Sequence, residues 1–219
     1  MLSLYLVRHG QTDESLHNHF CGSLDPPLNP VGLAMAEALG ARYGEGPGAP
    51  GSGERWAAIW CSPMLRARQT AEPTALRSGI GLTIDDGLRE IAYGEWEGRP
   101  EAEVERTDPG RFAAWSAHPG RVAPPGGESG DAIAARALAA IERLRARHTD
   151  GKVLVVSHKA TLRVLICALL GIDVDLFRVR IAQKVCAVSI VDFKPSGPLL
   201  QVLGDTSHLP PALLAGDGT

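Results

Sequence analysis

The chain is 219 residues long, and its 44% hydrophobic and 21% charged residues are typical of a globular protein with one substantial core. A formal net charge of −3 excludes any general electrostatic attraction to nucleic acid or to an anionic membrane. An anionic ligand must therefore be bound by a local cluster of cationic side chains.

Short apolar runs rich in β-branched or aromatic residues predict the strands. In chain order, the predicted strands cover residues 2–7, 56–61, 81–84, 152–157, 186–193 and 199–203. Helical patterns lie between them at 29–44, 62–72, 129–148 and 161–171. Strands that alternate with helices predict an α/β protein, a three-layer α/β/α sandwich with a mostly parallel central sheet.

Capping residues mark where two of these helices begin. Asn29 and Pro30 stand at the cap and first position of one helix, and Ser62 and Pro63 repeat that arrangement in the next. In the third helix one apolar stripe is predicted to face the core, formed by Ile133, Leu138, Ile141 and Leu144.

Two stretches interrupt the alternation of strands and helices. Residues 44–54 (GEGPGAPGSGE) are rich in glycine and proline, so we expect a flexible surface loop there. Residues 88–127 contain a short helical pattern followed by HPGRVAPPGG, and we expect an insertion that caps one end of the sheet. The whole chain, residues 1–219, is predicted to form a single domain that carries this cap.

The cysteines and the start of the chain favour a cytoplasmic protein. The cysteines are scattered without a CxxC pair, and three lie in apolar runs, which indicates reduced core thiols: Cys21, Cys61, Cys167 and Cys186. The chain enters strand-like sequence at once, without a basic segment and a small-residue cleavage site, so we expect no secretory signal. No apolar stretch approaches the length of a bilayer crossing, so we expect no membrane span. The oligomeric state stays open, and a homodimer is one alternative.

Polar side chains follow four of the predicted strands, at the carboxyl end of each. The first strand delivers Arg8, His9 and Gly10, and the fourth delivers His158 and Lys159. The segments after the second and third strands add Arg66, Arg68, Glu90 and Glu95. Ligands of open parallel sheets bind at this edge, where loops converge and helix N-termini point. We therefore expect these side chains to form one site.

Such a set of residues fits phosphoryl transfer. Guanidinium forks match a tetrahedral dianion, and a glycine at position 10 allows backbone N–H groups to approach an oxyanion. A neutral imidazole is a competent nucleophile toward phosphorus, and nearby cations keep the ring neutral. A carboxyl group beside it protonates the departing alkoxide and then takes a proton from water. The residues thus predict a phosphohistidine intermediate.

Two other classes of function are open on the residues alone. A metal hydrolase would use His9, His17, His19 and Cys21, since HNHFC contains ligand types, although no carboxylate-rich spacing accompanies them. Otherwise His17 and His19 are expected near the pocket mouth or in solvent. A non-enzymatic phosphate-binding module would bind its ligand without turnover, and it would give Glu90 and both strand-end histidines no task.

Six motifs occur in the order LVRHGQT, DPPLNPVG, SPMLRARQTA, LREIAYGEWEG, PPGGES and VLVVSHKATLR, with GDTSHL near the C-terminus. As an ordered set they resemble the histidine phosphatase superfamily, in its phosphoglycerate-mutase-like branch. The resemblance implies His9 as the nucleophile and Glu90 as the acid and base, with Arg8, Arg66 and His158 binding the phosphate. It also implies catalysis without a metal or other cofactor, on a small phosphorylated metabolite.

Further substrate-binding candidates lie where the sequence departs from this family. Ser15 stands where many relatives have Asn, and Cys21, before Gly22, stands where relatives commonly have Thr or Ser. Lys159 replaces a frequent glycine, and it is either an additional cation for an acidic substrate or a solvated charge. Together with Gly10, these residues complete the predicted substrate-binding set.

The residues favour a phosphatase over the alternative, a cofactor-dependent phosphoglycerate mutase. A mutase must exclude water while a bisphosphate reorients, so it needs an elaborate cap with extra basic residues. The stretch between Glu90 and Glu128 is short, and its four arginines are interspersed with acids and glycines. Its aromatic residues, Tyr93, Trp96 and Trp115, form an apolar wall for the leaving group or pack the cap onto the sheet. The identity of the phosphomonoester is left open.

Overall fold

The computed structural model describes residues 1–17, 19–47 and 53–214. The strands are β1 (Leu2–Arg8), β2 (Ala58–Cys61), β3 (Leu82–Ile84), β4 (Gly151–Ser157), β5 (Val188–Lys194) and β6 (Gly197–Asp205). The α-helices are α1 (Asp13–Leu16), α2 (Pro30–Tyr43), α3 (Leu65–Ser78), α4 (Glu101–Thr107), α5 (Pro109–Ala117), α6 (Gly130–Arg147), α7 (Lys159–Leu170), α8 (Phe177–Arg180) and α9 (Pro211–Leu214). The predicted loop at 44–54 lies partly outside the described residues.

The strands form one mixed sheet in the order β3-β2-β4-β1-β5-β6. The first four run parallel, whereas β5 pairs antiparallel with β1, and β6 pairs antiparallel with β5. In the central pair, Arg8 of β1 lies opposite Ser157 of β4. The residues that follow these two strands, His9 and His158, therefore leave the sheet side by side at one edge.

Helices cover both faces of the sheet, which explains why β1 is buried along its whole length. Alternate residues of a strand point to opposite faces. One face, with Leu4 and Val155, packs against α6 and α7, and the other, with Tyr5 and Val156, packs against α2 and α3. The predicted three-layer α/β/α sandwich with a mostly parallel sheet is confirmed.

Helix α3 begins later than the sequence predicts. Its first residue is Leu65, its cap residue Met64 makes no side-chain capping bond, and the Asp25 carboxylate accepts the Leu65 N–H at 2.8 Å. The prediction that Ser62 caps this helix is wrong, since its hydroxyl accepts the N–H of Met64 at 3.3 Å, outside the helix. A local motif cannot reveal that a carboxylate 40 residues away supplies the cap.

The other predicted helix features hold, with one difference. Asn29 Oδ1 accepts the Gly32 N–H at 2.8 Å, and Pro30 is the first residue of α2. In α6, Leu138 is only half-buried, and Ala137 takes its place in the core. Ile133, Ile141 and Leu144 are buried as the predicted stripe requires.

The segment between β3 and α6 packs through an aromatic cluster apart from the two main layers of core. This cluster is formed by Phe20, Trp96, Val104, Phe112 and Trp115. Trp96 and Trp115 are 1% and 2% exposed, so both pack this segment. The guanidinium of Arg178 on α8 lies 4.2 Å over the Trp115 ring and donates to Glu101 of α4 at 2.9 Å. These contacts tie α4 and α5 to the body of the protein.

All four cysteines are free thiols, and Cys61, Cys167 and Cys186 are buried in the core as predicted. Cys21 is half-buried. In the ranges that the structure describes, no helix combines the length and the apolar character that a membrane crossing requires.

Candidate active site

The carboxyl ends of β1 and β4 open into a pocket of about 120 Å³, which α4, α5 and α8 border on the other side. Its lining includes predicted site residues from four segments: Arg8, His9, Arg66, Glu90 and Lys159. It also includes aromatic residues from the predicted cap and from α8, namely Tyr93, Trp115 and Phe177. The strand-end residues and the cap therefore share one cavity.

His9 is held in a fixed orientation with one ring nitrogen left unprotonated. Its backbone N–H donates to Ser157 O at 2.9 Å, and its carbonyl accepts the Cys186 N–H at 3.1 Å. Nδ1 lies 2.7 Å from the carbonyl oxygen of Gly10. Because a carbonyl can only accept, Nδ1 carries the proton, and Nε2 of the neutral ring keeps its lone pair. The ring is thus oriented as a nucleophile.

The electrostatic surroundings keep this imidazole neutral. Burial, followed by the positive charges of Arg66 and Arg8, holds the pKa of His9 well below its ordinary value of 6.5. Desolvation and neighbouring cations both disfavour the imidazolium form. At neutral pH the ring therefore has the lone pair that attack on phosphorus requires.

His158 lies against His9, with ring centroids 5.2 Å apart. The ring is fully buried, and burial together with Arg66 and His9 lowers its pKa well below 6.5. Its Nε2 is 2.8 Å from the Ser62 hydroxyl, while Nδ1 has no hydrogen-bond partner among the described residues. Ser62, which the sequence assigned to a helix cap, instead orients this histidine.

Two buried guanidinium groups flank the histidines. Arg8 is 4% exposed and donates to the carbonyl oxygen of Gln183 at 2.8 Å. Arg66 is 1% exposed and donates to the carbonyl oxygens of Leu24 and Gly22, at 2.7 and 3.2 Å. These carbonyl groups orient the two guanidinium forks, and Arg66 also lies 3.6 Å from the Asp25 carboxylate.

Glu90 is the carboxylate of the pocket, and the N-terminus of α7 holds it. Its oxygens accept N–H bonds from Ala160 at 3.2 Å and from Thr161 at 3.1 Å, and the Thr161 hydroxyl lies 3.2 Å away. The Ile91 N–H donates to the same carboxylate at 3.0 Å. The first N–H groups of a helix lack partners within the helix, which makes them natural carboxylate ligands.

Sequence reasoning missed the residues that fix the backbone around Glu90. Arg136 of α6 donates to the carbonyl oxygens of Gly87, Arg89 and Glu90, at 2.9, 2.8 and 3.1 Å. It also bonds Glu128 at 2.9 Å, whose other oxygen accepts the Ala92 N–H. In the sequence, only Glu128 of the PPGGES motif indicated this arrangement. Its partner Arg136 lies eight residues later, about two turns into α6, and nothing in the local sequence distinguishes it.

Three predicted substrate-binding positions have other contacts. The Gly10 N–H donates to Thr70 Oγ1 at 2.9 Å, so it does not face an oxyanion. The Ser15 hydroxyl donates to the Thr12 carbonyl at 2.8 Å within a capping box. The Gly22 N–H donates to Glu97 at 3.0 Å.

Close backbone packing explains the two glycines better than anion binding does. A Cβ at Gly22 would lie 1.7 Å from Ile91 O, and one at Gly10 would lie 2.7 Å from Gly32 O. Cys21 does line the pocket, but burial raises the pKa of its thiol to about 11, and its Sγ–H points to Leu24 O at 3.8 Å. Ser15 and Cys21 therefore shape the wall of the pocket.

The remaining candidates divide between pocket and surface. Arg68 and Glu95 are exposed, and neither lines the pocket. His17 is exposed, whereas His19 lines the pocket, and the described residues contain no group of three or more His, Cys, Asp or Glu side chains placed to hold a metal ion. Lys159 is half-buried and lines the pocket.

Two cations of the lining were not predicted, Arg163 and Arg178. Arg163 stands four residues after Lys159 on α7, a spacing that places both side chains on one face of the helix. That spacing was a signal in the sequence for Arg163. Arg178 reaches the pocket from α8, and nothing in its local sequence distinguishes it.

Comparison with known proteins gives a consistent set of matches. The family model described as "Histidine phosphatase superfamily (branch 1)" matches residues 4–206. "Phosphoserine phosphatase 1" of Hydrogenobacter thermophilus is 33% identical over 177 residues, which cover 81% of this chain and 80% of that protein. "Probable phosphoglycerate mutase GpmB" of Salmonella paratyphi C is 32% identical over 216 residues, 95% of each protein. The solved structure of a mycobacterial glucosyl-3-phosphoglycerate phosphatase with VO3 has a TM-score of 0.80 at 27% identity, and covers 93% of this chain and 99% of that one.

Proposed function

The chain belongs to the histidine phosphatase superfamily, and from that membership we propose that it hydrolyses small anionic phosphomonoesters through a phosphohistidine at His9. The observation that carries this proposal is the pair of neutral, buried rings of His9 and His158, 5.2 Å apart, beside the guanidinium groups of Arg8 and Arg66. This arrangement combines a nucleophile with a binding site for a dianion. No metal or other cofactor is part of the proposed mechanism.

In the first step, the lone pair of His9 Nε2 attacks phosphorus in line with the ester oxygen. The N–P bond forms as the P–O bond to the alcohol breaks, and the protonated Glu90 gives its proton to the departing alkoxide. Arg8, Arg66 and His158 hold the phosphoryl oxygens, and their fixed orientation avoids reorganisation as charge shifts in the transition state. The products are phospho-His9, the free alcohol and the Glu90 carboxylate.

In the second step, water replaces the alcohol and restores the enzyme. The Glu90 carboxylate takes a proton from water as the oxygen attacks phosphorus, the N–P bond breaks, and its electron pair returns to Nε2 of His9. Inorganic phosphate leaves, and Glu90 is again protonated. One carboxyl group thus acts first as an acid and then as a base.

The predicted cap, residues 88–127, supports a phosphatase over a phosphoglycerate mutase. None of its four arginines lines the pocket in the part of the chain that the structure describes. Arg99 binds Glu103, Arg111 lies near Glu95, and Arg121 binds Asp173, while Arg106 is exposed. The cap therefore does not offer the extra cations that would retain a bisphosphate while it reorients in the site.

The test is a panel of phosphomonoesters assayed with and without 2,3-bisphosphoglycerate. Phosphate release that does not depend on the bisphosphate is expected, and EDTA should leave the rate unchanged. Bisphosphate-dependent isomerisation of phosphoglycerate without phosphate release would instead identify a mutase.

The nucleophile is tested separately by phosphoenzyme trapping with a ³²P-labelled substrate. His9→Ala should abolish both turnover and the acid-labile phosphoenzyme. His148→Ala, a partly exposed histidine at the end of α6, is the matched control and should retain both. An acid-labile phosphoenzyme that survives in His9→Ala would show that another residue is the nucleophile.

A further inference from the structure

The loop that carries Glu90 is bound by one side chain of α6, that of Arg136. Residues 89–93 belong to neither a helix nor a strand, and the position of such a backbone depends on the partners of its individual polar groups. Nη1 of the guanidinium group donates to Gly87 O at 2.9 Å and to Arg89 O at 2.8 Å, and Nη2 donates to Glu90 O at 3.1 Å. Arg136 thus spans the backbone that leads to Glu90.

Arg136 spends all of its N–H donors on this segment and on one carboxylate. Nε and Nη2 donate to the two oxygens of Glu128, at 2.9 and 3.1 Å. With the three carbonyl bonds, these account for the five N–H donors of a guanidinium group. The Glu128 carboxylate also accepts the Ala92 N–H at 2.9 Å, two residues after Glu90. The ion pair therefore holds the loop on both sides of the acid and base residue.

A second helix fixes the side chain of Glu90. Its carboxylate accepts the N–H groups of Ala160 and Thr161 at the start of α7, at 3.2 and 3.1 Å. Helices α6 and α7 pack on the same face of the sheet, so one layer of the protein holds both the backbone and the carboxylate of this residue. A displacement of about 1 Å can cost a catalysed step about 100-fold in rate. Proton transfer by Glu90 therefore depends on both anchors.

We propose that Arg136 is a positioning residue for proton transfer, which holds Glu90 where its proton reaches the leaving oxygen. Among the described residues Arg136 is not part of the pocket lining, so it acts through the backbone of the loop. This proposal rests on the proposed phosphatase function and adds a residue to its first chemical step. An alkoxide needs a proton in order to leave, whereas p-nitrophenolate is stable enough to leave without one. Loss of Arg136 should therefore slow the reaction of alkyl esters much more than that of p-nitrophenyl phosphate.

The experiment measures kcat/KM for p-nitrophenyl phosphate and for the alkyl phosphate that wild type hydrolyses fastest in the panel above. This constant covers binding and the departure of the alcohol, so the hydrolysis of phospho-His9, which both esters share, does not enter it. Arg136→Met should lower the ratio of the alkyl to the aryl value about tenfold or more. Arg136→Lys keeps the charge, but its three donors on a single nitrogen cannot span the three carbonyl groups. The ratio should fall there too, which tests the proposal even where Arg136→Met does not fold.

The ratio separates positioning from two other effects of the substitution. A smaller folded fraction lowers both kcat/KM values by the same factor. Arg136 also contributes, after burial, Arg66 and His9, to the low pKa of His158. Loss of that contribution alters the binding of the phosphoryl group, which the two esters have in common. Neither effect changes the ratio.

Arg143→Met is the matched control. Arg143 lies seven residues later on α6 and donates to the Asp85 carboxylate at 2.9 and 2.7 Å, so it ties the same helix to the same segment, five residues before Glu90. Its ratio should equal that of wild type. An unchanged ratio in Arg136→Met or in Arg136→Lys would overturn the proposal, and so would an equal loss in Arg143→Met. Failure of wild type to hydrolyse any ester would instead refute the phosphatase function itself.

Discussion

The hydrogen bond between Ser62 and His158 gives the sharpest test of how the site is built. The Ser62 hydroxyl is 2.8 Å from His158 Nε2, and both residues are fully buried. Since Nδ1 of that ring has no hydrogen-bond partner among the described residues, Ser62→Ala leaves both ring nitrogens without one in the free enzyme. An unsatisfied buried polar group costs about 1–3 kcal/mol, and the free energy of unfolding should fall by that amount.

The same substitution should slow catalysis. A lost orienting hydrogen bond of about 1 to 1.5 kcal/mol, if fully expressed in the transition state, lowers kcat/KM about 5- to 12-fold. Steady-state phosphate release from p-nitrophenyl phosphate measures this effect, and urea denaturation measures the stability.

A matched control separates positioning from stability. Ser3 lies near the start of β1, far along the strand from the site, and its buried hydroxyl donates to Asp192 Oδ1 at 2.6 Å. Ser3→Ala should reduce stability by a similar amount and leave kcat/KM unchanged. If the Ser62 and Ser3 variants lose stability equally and both keep wild-type kcat/KM, His158 needs no orientation from Ser62, and the reasoning is refuted.

Three further predictions follow from single contacts. Glu90→Gln should lower kcat roughly 10²- to 10⁴-fold, because an amide cannot exchange the proton; unchanged burst and steady-state rates would assign the acid elsewhere. Gly22→Ala should lower the free energy of unfolding by about 1–3 kcal/mol, since the new Cβ would lie 1.7 Å from Ile91 O, and a wild-type urea midpoint would contradict this. Phosphoenzyme formation should persist as the pH falls from 8 to 6.5, because burial and the charges of Arg66 and Arg8 hold the pKa of His9 well below 6.5 and its ring stays neutral; loss of the trapped phosphoenzyme over that range would show that the imidazole is protonated there.

The order of strands and helices was readable from the sequence because local patterns specify it. β1 and β4 are continuous apolar runs, as expected for strands buried on both faces. Each is followed at once by its polar residues, so the positions of His9 and His158 at strand ends required no knowledge of distant contacts.

Selection between neighbouring candidates needed the tertiary structure. Arg66 and Arg68 are two residues apart on a helix, about 200° around its axis, so only one of them can face the site. The structure buries Arg66 and exposes Arg68. Glu90 and Glu95 are distinguished in the same way, because only Glu90 reaches the N-terminus of α7.

The sequence by itself determined the elements and the chemical types that their ends present, since these depend on periodicity and on residues adjacent in the chain. Only the tertiary structure decided that β1 and β4 are neighbours, which brings the two imidazoles within 5.2 Å across 149 residues of chain. It also decided that Gly10 and Gly22 serve packing, that Ser62 orients His158, and that Lys159 faces a cavity. Such roles depend on which surfaces meet when the layers pack, and no local pattern contains that information.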